Sequence, residues 1–160
     1  MDTKHDTILA FQFDLVMELT HTLSPGMREA MRQVMVDGER AKHAAEKNGL
    51  TSLPTLHRNL TNARVLVKQI RGLNGATADQ RLTELQFDAF RPLAKLRTAP
   101  IEEGVRKVLV EGCAQAKAAS QVGCSQYHVS RTVEKLRSKL RAIEAFNAFE
   151  RVEPAAVVDA

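Results

Sequence analysis

Residues 114–136 read AQAKAASQVGCSQYHVSRTVEKL, and the fold that this sequence predicts depends mainly on this stretch. A short helix is expected from Ala114 to Val122. It is closed by Gly123, because a residue that easily adopts the left-handed conformation suits the position after a helix. Ser125 is then a natural N-cap for a long helix from about Gln126 to Phe146. The stretch therefore predicts two helices joined by a sharp turn.

The opening of the long helix is polar, whereas Val129 is expected to point inward. Ala118 and Ala119 are small enough to let the two helices cross closely, as in a helix-turn-helix. Glutamine and arginine suit bidentate contacts with adenine and guanine. An ordinary helical hairpin without a DNA role is the alternative for this stretch. The candidate base-contacting and flanking residues are Ser125, Gln126, Tyr127, His128, Ser130, Arg131 and Lys135.

Two residues before the turn, Gln115 and Lys117, are candidate phosphate contacts. A plain charged surface explains them almost as well.

Two further helices are expected upstream of this stretch. Thr83 to Gln86 fits a capping box, which opens a helix that Pro92 limits or kinks. A second helix begins near Thr98 and ends before Gly112. The predicted buried residues are Leu85, Phe87, Phe90, Ile101, Val105, Val108, Leu109, Val129, Val133, Leu136, Leu140 and Ile143.

The chain also contains an internal repeat. Gln12-Phe13-Asp14 recurs as Gln86-Phe87-Asp88, 74 positions later. The same offset relates Leu19 to Leu93, Glu29 to Glu103, Arg32 to Arg106, Val36 to Val110, Gly38 to Gly112, Ala44-Ala45 to Ala118-Ala119 and Gly49 to Gly123. After Gly49 the offset is 73, and it then relates Arg58, Arg64 and Ile70 to Arg131, Arg137 and Ile143. This chain is expected to be a tandem duplication.

The repeat predicts an all-α protein with two tandem helix-turn-helix domains of about four helices each. The first, more divergent domain covers residues 6–71, and the second covers 81–149. Residues 72–80 are expected to be a linker because of their Gly and Asn content, and 150–160 a flexible tail.

In the first copy, Ser52 is the expected N-cap and Pro54 lies in the first turn of the helix. The places equivalent to the candidate base-contacting residues of the second copy are taken by Thr55, His57 and Arg58. Leu53 and Pro54 form a poorer reading surface than Gln126 and Tyr127. Whether this copy contacts bases, or serves only in packing or phosphate contact, stays open.

Composition narrows the function classes. The net charge is +4, and residues 76–145 carry twelve Lys/Arg against eight Asp/Glu, which favours an anionic partner. No apolar run is long enough for a membrane span, and the N-terminus does not resemble a signal peptide, so a cytoplasmic protein is expected. Cys113 and Cys124 are expected to be free thiols. We expect no catalytic site, metal, cofactor or small-molecule ligand.

The second copy resembles the DNA-binding domain of the TrfB/KorA family of plasmid transcriptional repressors. The matching stretches are Arg81-Leu82-Thr83-Glu84-x-Gln86-Phe87, Val108 to Gly112, Val122-Gly123 and Val129-Ser130. The resemblance covers about 65 residues directly, and the first copy through the repeat. It implies repression of promoters by dimers on palindromic operators. In that family a separate C-terminal segment makes the dimer contact, and here only residues 150–160 follow the last helix.

These observations together predict a transcriptional repressor that binds double-stranded DNA through a recognition helix in the major groove. The alternative is a module of the same fold that binds RNA polymerase or another regulator. We expect a homodimer, because the apolar stripe of the final helix continues through Ile143 and Phe146 to Phe149. A monomer that reads an asymmetric site with its two copies is the other possibility.

Overall fold

A computed structural model of the chain describes residues 7–20, 22–96 and 98–150, except for the side chain of Glu150. All regular structure within those ranges is helical, which confirms the all-α prediction. The helices are α1 (Ala10–Leu19), α2 (Pro25–Met35), α3 (Ala41–Lys47), α4 (Leu53–Gly72), α5 (Glu84–Ala94), α6 (Ala99–Leu109), α7 (Gln115–Val122) and α8 (Gln126–Glu150). None of these helices is long and apolar enough to cross a membrane. The chain packs as two compact units, Met1–Lys68 and Gln69–Ala160, and their boundary falls within α4.

The first unit has a core of aromatic, methionine and aliphatic side chains from α1, α2 and α4. Phe13, Val16, Met31, Leu56 and Leu60 are buried in it. Helix α1 packs against α2, and α2 packs against α3. At the start of α1, Gln12 Oε1 accepts a hydrogen bond from the Leu9 N–H at 3.0 Å and so satisfies one of the free amides of the helix end.

In the second unit the predicted helix starts are confirmed. Thr83 Oγ1 accepts from the Gln86 N–H at 3.2 Å, while Gln86 Oε1 accepts from the Thr83 N–H at 2.9 Å, so the capping box is complete. Thr98 is the N-cap residue of α6, and Gly123 ends α7 with a φ of 69°. The predicted apolar stripe of α8 is buried at Val129, Val133, Leu136, Leu140 and Ile143.

The prediction was wrong for Leu85, whose side chain is 83% exposed. Phe87 and Phe90, two and five residues further on, occupy the buried face of α5. Because successive helical residues are 100° apart, Leu85 cannot share that face with both phenylalanines. Ile101 is half-buried rather than buried. Helix α8 also extends four residues beyond the predicted end, to Glu150.

Corresponding residues of the two units make the same backbone hydrogen bonds. The Ile8 N–H donates to the Met35 carbonyl, and the Leu82 N–H donates to the Leu109 carbonyl, both at 2.9 Å. The turn after α3 is closed by Leu50 N to Ala45 O, and the turn after α7 by Cys124 N to Ala119 O, again both at 2.9 Å. Each of the four residues named in the first unit lies 74 positions before its counterpart in the second unit, which is the offset found in the sequence.

An ion-pair network is repeated at the same offset. Arg32 lies 3.8 Å from Glu29 and 3.2 Å from Asp37. Arg106 lies 3.5 Å from Glu103 and 3.3 Å from Glu111, and it also pairs with Glu84. The hydrogen bond to Glu84 is the largest of the effects that raise the pKa of the Arg106 guanidinium above its ordinary value. Since these side chains are a third to a half exposed, the network contributes only modestly to stability.

Residues 72–80, predicted to be a linker, are packed into the second unit. Leu73, Ala76 and Ala78 are buried. The Ala78 N–H donates to Glu144 Oε2 at 3.4 Å. The Asn147 side chain donates to the Ile70 carbonyl at 2.9 Å. The last turns of α8 therefore cover residues 70–78 of their own chain.

This packing removes the physical argument for the predicted homodimer. The extension of the apolar stripe was expected to be surface that a second chain would cover. Instead, Ile143 and Phe146 are completely buried within the unit, and Phe149 alone of the three is exposed, at 55%. Residues 151–160 of the predicted tail lie outside the described residues.

Candidate nucleic-acid interface

Helix α7, the three residues Gly123 to Ser125 and the start of α8 form the predicted short helix, turn and long helix. The Ala118 and Ala119 side chains are buried where α7 packs on its neighbours. The Ser125 carbonyl accepts from the N–H groups of His128 and Val129, at 3.1 and 3.2 Å, which starts the hydrogen-bond ladder of α8. The turn thus fixes where the first exposed side chains of α8 lie relative to α7.

Helix α6 supports this segment from behind and packs against both α7 and α8. Gly104 is the closest point of approach. A Cβ built on Gly104 would lie 3.2 Å from Val122 Cγ2 and 3.3 Å from Val129 Cγ2. The absence of a side chain at this position lets α6 lie directly against the two helices. Sequence reasoning missed Gly104, because a glycine within a helix gives no local sign of which helix it faces.

The first turn and a half of α8 presents polar side chains to solvent. Gln126, Tyr127, His128 and Arg131 are all exposed, Tyr127 to 63%. Arg131 Nη1 lies 3.4 Å from Tyr127 Oη, and the Tyr127 and His128 rings are 5.8 Å apart between centroids. The buried Val129 fixes the backbone from which these side chains project, and apart from the Arg131–Tyr127 hydrogen bond they extend into solvent. Such a surface can donate and accept hydrogen bonds outside the protein.

Ser130 and Gln115 have a different environment from the one expected. The Ser130 hydroxyl donates to Gln115 Oε1 at 2.6 Å, and both residues are half-buried. This bond joins the first residue of α7 to the second turn of α8. It uses the Ser130 hydroxyl proton inside the protein, so in this structure Ser130 contributes to the positioning of α8.

The other second-unit candidates, Ser125, Lys117 and Lys135, are exposed. Within the described part of the chain no carboxylate forms an ion pair with Lys117 or Lys135. Two further lysines lie beside this surface. Lys139 is one turn after Lys135 on α8, and its Nζ donates to the carbonyl of Leu93, two residues before Lys95. Burial and the charges of Lys135 and Lys95 lower the pKa of Lys139. Sequence reasoning missed these two. The spacing of Lys135 and Lys139, one helical turn apart, was a signal for one of them.

The equivalent segment of the first unit has a less polar start. Leu53 is half-buried and Pro54 is exposed at the beginning of α4. Ser52 caps the helix, with its Oγ 3.4 Å from the Thr55 N–H and 2.8 Å from the Thr55 hydroxyl. Thr55 is therefore engaged by the cap. His57 and Arg58 are exposed, so of the four candidates in this unit they are the ones whose side chains face solvent.

The described residues contain no group of three or more His, Cys, Asp or Glu side chains that could hold a metal ion. Cys113 and Cys124 are both free thiols. Comparison with known proteins gives no match to a family model, to a curated protein or to a solved structure.

Proposed function

We propose that this protein is a transcriptional repressor that binds double-stranded DNA sequence-specifically, with the start of α8 in the major groove. The observation that carries the proposal is the exposed polar surface of Gln126, Tyr127, His128 and Arg131, positioned by the buried Val129. The DNA-binding part rests on this geometry, on the basic second unit and on the order of α7, turn and α8. The repressor part rests on the resemblance of about 65 residues of the second copy to the TrfB/KorA family.

The chemistry of this surface matches the edges of base pairs. The major groove is about 12 Å wide and admits one α-helix, whose N-terminal side chains then reach base edges. Arg131 offers a bidentate donor pair for guanine, and Gln126 offers a donor and an acceptor for adenine. The exposed Lys117 of α7 lies before the turn, where a phosphate of the adjacent backbone would be met.

The first unit is proposed to contribute less to base recognition than the second. Its helix begins with Leu53 and Pro54, and its Thr55 is engaged by the Ser52 cap. Only His57 and Arg58 offer free polar groups at equivalent places. A phosphate contact is the role that such a surface fills most easily.

The test begins with selection of bound sequences from a random duplex pool, followed by measurement of the dissociation constant on the selected site. Gln126→Ala with Arg131→Ala should weaken binding by about 5- to 150-fold for each bidentate interaction that is removed, since such a pair contributes about 1–3 kcal/mol. Helicity should not change, because both side chains are exposed. Arg141→Ala, ten residues further along the same helix and also exposed, is the matched control and should bind as wild type.

His57→Ala with Arg58→Ala should reduce affinity less than the second-unit pair. If the second-unit pair binds the selected site as tightly as wild type, the start of α8 does not contact bases. If wild type shows weak binding without a steep salt dependence, the protein-interaction alternative is favoured instead.

A further inference from the structure

Lys95, Lys135 and Lys139 form a group of cations beside the proposed reading helix. Lys139 lies on α8 one turn after Lys135, and its Nζ donates to the Leu93 carbonyl at 2.8 Å, at the end of α5. Lys95 follows two residues after Leu93. We call these three residues the lysine patch. Within the described part of the chain no carboxylate pairs with any of them.

Two features of the lysine patch are unfavourable in the protein alone. Lys95 has a φ of 50°, and it is the one non-glycine residue in the described ranges with a left-handed backbone. A lysine there costs conformational energy that glycine would not. In addition, partial burial and the like charges of Lys135 and Lys95 lower the pKa of Lys139. A bound anion would reduce the repulsion between these like charges, although it would not change the backbone conformation of Lys95.

The position of the lysine patch along α8 indicates which anion fits. At a rise of about 1.5 Å per residue, Lys135 and Lys139 are roughly 13 and 20 Å along the axis from Gln126. Both distances exceed the width of the major groove, about 12 Å, so in a helix whose N-terminus contacts bases these lysines lie outside the groove, on the side of the phosphate backbone. At the equivalent positions of α4 the first unit has Asn62 and Leu66, so the pair on α8 is not repeated there.

We infer that Lys95, Lys135 and Lys139 form a contact site for the DNA phosphate backbone, which holds the second unit on the duplex independently of base sequence. This inference rests on the proposed function and adds to it the sequence-independent part of the interface. A lysine interacts with a phosphate as a point charge. The loss of such a contact should therefore appear mainly as a weaker dependence of the binding constant on salt concentration.

The experiment measures binding of a random-sequence 20-base-pair duplex by fluorescence anisotropy at 50 and 200 mM salt. Removal of one lysine–phosphate interaction should reduce the slope of log K against log salt by about 0.9. The ratio of dissociation constants between the two salt concentrations should therefore fall by about 3.5-fold for one substitution and about 40-fold for three. The substitutions are Lys95→Asn, Lys135→Gln and Lys139→Gln, because asparagine tolerates the left-handed backbone at position 95.

Arg141→Gln removes one exposed charge from the same helix and should leave the ratio as in wild type. Only Lys139→Gln changes a half-buried side chain, since Lys95 and Lys135 are exposed. If Lys139→Gln fails to fold, the other two substitutions still measure the salt dependence. A wild type with a steep slope and variants with the same slope would overturn the lysine patch but not the reading helix. A shallow wild-type slope would overturn the proposed function as well. Tighter binding to phosphatidylserine vesicles than to the duplex would overturn the assignment to DNA.

Discussion

The close approach of Gly104 to Val129 allows a quantitative prediction about how the proposed reading helix is held. A Cβ on Gly104 would lie 3.2 Å from a Val122 methyl group and 3.3 Å from a Val129 methyl group, closer than ordinary van der Waals contact. Gly104→Ala should gain about 0.5–1 kcal/mol from helix propensity. It should lose about 1–3 kcal/mol from overpacking against Val122 and Val129. We expect a net loss of stability of roughly 0–2.5 kcal/mol.

Val129→Ala alone removes two buried methyl groups and should cost about 2–3 kcal/mol. In the double variant, the new Cβ at position 104 can occupy part of the space that the valine methyl groups leave. The double variant should therefore be more stable than the sum of the single changes predicts, by about 0.5–1.5 kcal/mol. The relief is partial, because Val122 Cγ2 stays 3.2 Å from the added Cβ.

The assay is native-state hydrogen exchange of the buried α8 amides, which reports the free energy of unfolding of the second unit by itself. The matched control cycle pairs Gly104→Ala with Leu140→Ala. Leu140 is fully buried on the same stripe but is not among the atoms nearest to the added Cβ, so this pair should be additive. If the Gly104–Val129 pair is also additive within about 0.3–0.5 kcal/mol, close packing at Gly104 does not position α8.

Two further predictions concern the turn and a partly buried lysine. Gly123 has a φ of 69° and nothing within 4 Å of an added Cβ, so Gly123→Ala should cost about 1–2 kcal/mol from the backbone alone and Gly123→Asn less, as measured by urea midpoints. Equal midpoints for all three proteins would contradict this. Burial and the charges of Lys135 and Lys95 lower the pKa of Lys139 in the folded state below its ordinary value of 10.5. The protonated form of Lys139 therefore destabilises the folded protein, and this effect is complete at pH values below the folded-state pKa. The stability of wild type relative to Lys139→Met should therefore rise with pH from the folded pKa up to about 10.5, and thermal melts that show no such rise would contradict it.

For the second unit, sequence alone determined the four helices and their boundaries to within a few residues. The capping box at Thr83, Gly123 after α7 and Pro100 in the first turn of α6 all act through the backbone of the nearest four residues. The apolar stripe from Val129 to Ile143 follows from helical periodicity alone. The repeat also located the two equivalent turns, because the same short-range bonds recur 74 residues apart. The same periodicity predicts that Gln126 and Arg131 are exposed, because both lie outside the apolar face of α8.

What only the tertiary structure decided is which side chains meet across elements. Ser130 is polar and lies near the start of α8, yet its hydroxyl is used by Gln115, fifteen residues earlier in the chain. Lys139 joins Lys95 because α8 passes the end of α5, which no local pattern shows. Residues 72–80 have the composition of a linker but are covered by the last turns of α8. Local signals fix the backbone within one or two turns, whereas burial and charge proximity depend on helix packing between residues that are distant in the chain.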